Sequence, residues 1–120
     1  MATPRRIKAS ELSAVKKELL KKQKFKCPIC AGSLIGANTV VDHDHETGII
    51  RAVLHRGCNG AEGKLKRLMI LWGKCSPSTI ADGLKRMIAY WELHKTAQTE
   101  YIYHTFRTEA EKKVAKKRKK

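Results

Sequence analysis

Two cysteine-bearing pairs set the strongest constraint on how this chain can fold. Cys27-Pro28-Ile29-Cys30 and His55-Arg56-Gly57-Cys58 are separated by 24 residues. Each pair spaces its ligands by two residues on a turn. Three thiolates and one imidazole meet the tetrahedral demand of a structural Zn2+ ion without strain. The competing readings are a redox-active cysteine pair, or buried thiols beside an unrelated histidine. His45 could also stand in for His55, at the cost of the pair symmetry. Cys75 is left over and reads as a small apolar filler. With 120 residues, 42% apolar content and 6% aromatic content, the core is small enough to need such a staple. A closed four-ligand site keeps no position for substrate, so any chemistry must sit elsewhere.

The net charge of +15, with a pI near 10.0, points to a polyanionic partner, nucleic acid ahead of an anionic membrane. Residues 1–26 carry nine Lys/Arg against two Glu, and residues 107–120 carry eight against two. The intervening stretch is nearly neutral, so the ends read as phosphate grips and the centre as a site. The opening Met-Ala-Thr-Pro-Arg-Arg does not have the apolar run of an export signal, and no stretch is long enough to span a bilayer. A reducing cytoplasmic setting and no membrane partner are therefore expected, where Cys-x-x-Cys serves metal or redox chemistry.

Along the chain, Ser10 is a plausible helix cap, followed by Leu12, Val15, Leu19 and Leu20 on one helical face. Thr39-Val40-Val41 reads as a strand running into Asp42–His45, Glu46-Thr47-Gly48 as a turn, and 49–54 as a second strand. A helix follows from Asn59 to about Trp72, with Leu65, Leu68, Met69 and Trp72 on one face. Gly60 and Gly63 weaken this helix but allow close backbone approach. Ser76-Pro77 suits the start of another helix, which runs to about His94 and carries Ile80, Leu84, Met87, Ile88 and Trp91. Both tryptophans complete apolar faces and are expected in the core. Tyr101–Phe106 is strand or irregular packing, and 107–120 a frayed basic tail, helical only on binding.

Asp42-His43-Asp44-His45 places two carboxylates and two imidazoles in four residues. On a regular strand Asp42 and Asp44 face one way and His43 and His45 the other, so a bulge or turn must break the alternation to make one pocket. Asn59 and Glu62, three apart at the start of the next helix, can face back toward the hairpin. Oxygen donors such as Asp42 and Asn59 suit Mg2+, and a neutral imidazole suits proton abstraction from water. Arg51 and Arg56 flank the cluster and read as ordinary exposed arginines. Lys64, Lys66 and Arg67 are better placed for DNA backbone contact, as are Lys21 and Lys22 on the first helix.

Cys-Pro-Ile-Cys, then Val-Val-Asp-His-Asp-His-Glu-Thr-Gly-Ile-Ile-Arg, then Cys-Asn-Gly-Ala-Glu-Gly together resemble the phage recombination endonuclease VII family of HNH, or ββα-metal, nucleases. The likeness covers roughly residues 16–72, with several motifs in the right order. It implies that Asp42 and Asn59 hold a catalytic Mg2+ or Mn2+ ion and that His43 is the general base. His45 and Glu62 match further active-site positions that orient phosphate, metal waters or the base. It also implies cleavage to 5′-phosphate and 3′-hydroxyl ends, branched or nicked DNA as substrate, and a homodimer. The chain is short for the long helical segment such dimers use. His55 stands where relatives usually carry a third cysteine of a four-cysteine site, and imidazole is an acceptable substitute.

These observations predict an α+β protein with a small zinc-stapled ββα-metal core and helices at both ends. Residues 1–9 form a basic flexible arm, 10–72 the nuclease core, 73–106 a helical C-terminal part and 107–120 a basic tail. The predicted activity is metal-dependent DNA hydrolysis with little sequence specificity, in a host-cell cytoplasm if the chain is phage-encoded. The alternative is a non-catalytic, zinc-dependent DNA-binding module or regulator.

Overall fold

A computed structural model describes residues 3–119. Residues 1–2 of the expected basic arm and the last residue of the expected tail lie outside the described residues. The fold is mixed α+β, with four α-helices and one two-stranded antiparallel sheet. It divides into two compact units, residues 1–80 and 81–120.

In the first unit, a 3-10 turn over Ala9–Glu11 leads into α1, Leu12–Lys22. Ser10 lies inside that turn rather than capping it. The turn is closed by Glu11, whose carboxylate accepts from the Lys8 backbone N–H and pairs with Arg5 at 2.7 Å. Leu19 and Leu20 carry the apolar face of α1 onto the core. The helix ends where Lys24 and Phe25 take positive φ and the Phe25 N–H bonds the Leu20 carbonyl at 2.9 Å. The hairpin then forms from β1 (Thr39–His43) and β2 (Ile50–His55), paired Val40 with Leu54 and Val41 with Val53. Its loop closes where the Gly48 N–H bonds the Asp44 carbonyl at 2.8 Å, with Gly48 at φ +75. That backbone angle is readily available only to glycine. Val53 and Leu54 are both buried, and with Cys27 and Leu34 they make the fully buried centre of the main core, against which Leu19, Leu20, Val41, Ala52 and Cys58 pack. A cluster of four residues is a thin core, as the composition predicts.

α2, Arg56–Leu71, starts directly after β2, three residues earlier than its periodicity indicates. The order strand, strand, helix is thus as the sequence predicts. Trp72 departs from expectation: it is 81% exposed, and Leu65, Leu68 and Leu71 are exposed beside it. Only Met69 of the predicted apolar face is buried. The helix stops at Gly73, where a Cβ would come within 2.9 Å of the Met69 carbonyl.

The second unit holds most of α3 (Ile80–Leu93) and all of α4 (Glu109–Lys119). A turn in which the Thr79 N–H bonds the Ser76 carbonyl at 3.0 Å precedes α3, with Pro77 inside it. Trp91 is 60% exposed, again outside any core. Tyr101–Phe106 is irregular and exposed. The basic tail is helical in the chain by itself, for a reason its sequence contains. The Thr108 hydroxyl accepts from the Glu111 N–H at 3.1 Å, Glu109 and Glu111 fill the first turn, and the cations follow. This arrangement complements the helix dipole at both ends.

Candidate metal centre and catalytic cluster

A short hairpin and a strand–helix junction converge to build the metal centre. In the first, the Cys27 N–H bonds the Gly32 carbonyl at 2.9 Å and the Ala31 N–H bonds the Cys27 carbonyl at 2.8 Å. This knuckle holds Cys27 and Cys30 on one turn. The second pair comes from the end of β2 and the first turn of α2, which present His55 and Cys58. The ligand atoms of Cys27, Cys30, His55 and Cys58 all lie within 4.8 Å of one another. A zinc tetrahedron with thiolate ligands has edges of about 3.8 Å, so the set needs to contract by at most about 1 Å.

The imidazole of His55 is set for ligation. Its Nε2 lies 2.9 Å from the Ser33 carbonyl, which can only accept, so Nε2 carries the proton. Nδ1 is left as the free lone pair, 3.3 Å from the Cys30 sulfur and 3.9 Å from that of Cys58. An outer carbonyl that fixes the tautomer is the usual accompaniment of a metal-bound histidine. Burial pushes the Cys27 thiol up. Hydrogen bonds from the backbone N–H groups around it, chiefly those of Cys30, His55 and Ile29, outweigh it and bring the thiol down to about 6. Burial, reinforced by the neighbouring Cys30 and Cys27 sulfurs, pushes Cys58 up to about 11. Four donors crowded together, two of them strongly displaced in opposite directions, fit a structural Zn2+ ion. Among the described residues no other group of three His, Cys, Asp or Glu side chains converges in this way. His45 lies outside this group, whereas His55 is in it.

The cluster around Asp42 is organised by a bulge. Asp42 pairs with Ala52 and His43 with Ile50, so Arg51 is the extra residue of β2. The extra residue lies on β2; along β1 the alternation holds, with Asp42 buried and His43 exposed. Asp42 is 6% exposed, and Arg51 reaches it with Nε at 2.6 Å from Oδ2. The same guanidinium extends to Glu62 on α2, at 3.5 Å. Arg51 therefore joins Asp42 to Glu62, and it is no ordinary exposed arginine. Its guanidinium is held above its usual range, chiefly by the bond to Asp42.

The other predicted residues take unequal places. His43 and His45 are exposed, with ring centroids 5.0 Å apart. His43 also borders an open cleft of about 810 Å3 between residues 4–7 and the hairpin. Asp44 faces its own turn: its Oδ1 accepts from the N–H groups of Glu46 (2.8 Å) and Thr47 (3.1 Å), which lower its carboxyl below the usual value. Asn59 is half-buried in the first turns of α2. Lys64, Lys66 and Arg67 are exposed on the same helix, and Lys66 is near enough to Asp44 to contribute to its shift. Lys21 and Lys22 are exposed at the end of α1. Arg56 bonds the Asn38 side chain at 3.2 Å. The role of Arg51 was missed because a bulge gives no periodic signal.

No helix of the described residues is long and apolar enough to cross a membrane. No curated protein matches the chain. The family model described as recombination endonuclease VII matches residues 4–93, which spans the knuckle, the hairpin, α2 and α3. The match covers well over half of the chain, and the chain belongs to the recombination endonuclease VII family of DNA endonucleases.

Proposed function

We propose that this chain is an HNH-type, metal-dependent DNA endonuclease in which His43 activates water and Asp42 and Asn59 hold one Mg2+ or Mn2+ ion. The observation that carries this reading is the buried Asp42 carboxylate, which already binds a cationic group on a bulged strand beside an exposed imidazole. Carboxylate and amide oxygens are the hard donors such ions take. Bound there, the ion would supply Lewis-acid stabilisation of the phosphate oxygens and of the departing oxygen. His43 takes a proton from water on a ring nitrogen as the water oxygen attacks phosphorus. The bond to the 3′ oxygen breaks and that oxygen takes a proton from solvent water, leaving 5′-phosphate and 3′-hydroxyl ends. Glu62 and His45 orient the phosphate, the waters or the base. Lys64, Lys66, Arg67, Lys21 and Lys22 bind the DNA backbone, so affinity falls steeply with salt and sequence matters little. Branched or nicked DNA is the proposed substrate, cut by a homodimer. The domain roles follow: residues 10–72 as the nuclease core, 73–106 as a helical C-terminal part, and 1–9 and 107–120 as basic extensions.

Plasmid and four-way-junction cleavage tests the reading. The zinc-loaded protein should nick plasmid in Mg2+ or Mn2+, and His43→Ala should bind DNA but cleave about 100- to 10,000-fold more slowly. A wild-type protein that binds DNA and never cuts it in either ion would instead be a zinc-dependent DNA-binding module.

A further inference from the structure

The bulge in β2 brings a cation to the buried carboxylate of Asp42. Arg51 puts both Nε and Nη2 on Oδ2 of Asp42, and its Nη2 is also the atom nearest Glu62. The two partners differ in exposure: the Asp42 side chain is 7% exposed and that of Arg51 is 40% exposed. A buried carboxylate without a cation is costly, whereas a guanidinium on a long, half-exposed stem can move into water at little cost. The carboxylate is the fixed member of the pair and the arginine the movable one.

We propose that Arg51 is a positioning residue that occupies Asp42 in the metal-free protein and must vacate it for the divalent ion to bind. This rests on the reading of Asp42 as a ligand of that ion. Before loading, the guanidinium compensates the buried charge of Asp42 and holds β2 to α2 through Glu62. Loading exchanges a singly charged guanidinium for a doubly charged ion on the same carboxylate oxygen, so the buried Asp42 carboxylate always has a cation beside it. Such exchange lowers the apparent metal affinity by the fraction of molecules in which Arg51 has already moved away. If that fraction is about one in ten, the apparent Kd is about tenfold weaker than the intrinsic one.

Mn2+ titration calorimetry on the zinc-loaded protein, without DNA, tests the exchange. Arg51→Gln should bind Mn2+ about 5- to 10-fold more tightly than wild type. Arg51→Lys keeps the charge but not the planar fork, and should fall between the two. Arg56→Gln removes a nearby charge with no contact to Asp42 and should change little. A gain in affinity is not something a destabilised fold produces. As a second readout, Mg2+ should shift the Nε–H resonance of Arg51 and leave that of Arg5, paired with Glu11, in place. An Arg51→Gln affinity equal to or weaker than wild type, or an Arg51 resonance unmoved at saturating Mg2+, overturns the proposal. Asp42→Asn separates the two claims. If it weakens Mn2+ binding while Arg51→Gln does not strengthen it, only the role of Arg51 falls; if it has no effect on Mn2+, Asp42 is not a ligand and both fall.

Discussion

Gln23 is bonded to the backbone of Val53 through both atoms of its amide. Its Nε2 donates to the Val53 carbonyl at 2.8 Å, and its Oε1 accepts from the Val53 N–H at 2.8 Å. One side chain thus supplies what a third strand would supply along that edge of β2, at the most deeply buried residue of the core. The same amide also donates to the Lys26 carbonyl at 3.1 Å, which ties the end of α1 to the start of the zinc knuckle. Gln23→Leu would leave a partly buried N–H and C=O of Val53 without partners, at a cost of about 1–3 kcal/mol for each group. A loss of about 2–4 kcal/mol in denaturant unfolding of the zinc-loaded protein is expected. An unchanged midpoint would mean that water replaces both bonds.

What the sequence disclosed and what it hid follow from the range of each interaction. The zinc pairs were legible because ligand spacing is local, and the hairpin because Thr39-Val40-Val41 and the stretch 49–54 flank Glu46-Thr47-Gly48. Asp44 could be read as a turn-shaper because an Asp side chain bonds backbone two and three residues ahead. Gln23 was invisible: a glutamine 30 positions from its partner leaves no pattern. Arg51 was hidden for another reason, since strict strand alternation sets it on the side away from Asp42 and only the bulge brings it round. Trp72 and Trp91 were misplaced because helical periodicity identifies an apolar face and says nothing of what covers it. For the catalytic assignment of His43, Asn59 and Glu62, the sequence resemblance remains the main support.

Zinc loading should depend on pH in a direction set by Cys58. At pH 7 without metal, Cys27, at about 6, is mostly thiolate, whereas Cys58, at about 11, is a thiol. Zinc takes thiolate, so binding must expel the Cys58 proton, and the apparent affinity should climb by at least about tenfold per pH unit. Below about pH 6 the Cys27 thiol of the metal-free chain is protonated as well, so the affinity should fall more steeply still as pH drops further. Competition with a chromophoric chelator from pH 5 to 8.5 would measure both limbs. One zinc per chain is expected at pH 7.5, and a pH-independent affinity would mean that Cys58 is not a ligand. Removing the zinc should also unfold the knuckle and hairpin, since the four-residue core gives little else to hold them.

Gly63 offers a stabilising substitution. It lies inside α2, and a Cβ built on it would meet nothing within 4 Å. Gly63→Ala should therefore stabilise the protein by about 0.5–1 kcal/mol through the entropy lost from the unfolded chain. Thermal unfolding would register the gain. The open space at Gly60 and Gly63 means that any close approach these glycines permit is to something outside the chain. If Gly63→Ala gains stability and loses DNA affinity together, the helix face beside Lys64 and Lys66 is where the DNA backbone passes.

The exposed apolar face of α2 carries the last prediction. Leu65, Leu68 and Trp72 recur at helical spacing and are 43%, 53% and 81% exposed. A contiguous apolar strip of this kind on a monomer marks an association surface. A second copy of the chain, which brings the same strip, fits the homodimer proposed above. Sedimentation equilibrium should then give a mass near twice 13.6 kDa at micromolar concentration. Leu68→Glu together with Trp72→Glu should return it to the single-chain value, because each dimer would set four carboxylates in an apolar seam. Neither side chain belongs to the core cluster around Val53. The double variant should therefore keep its zinc and its helix content, and a monomeric mass for the wild type would leave the strip without its partner.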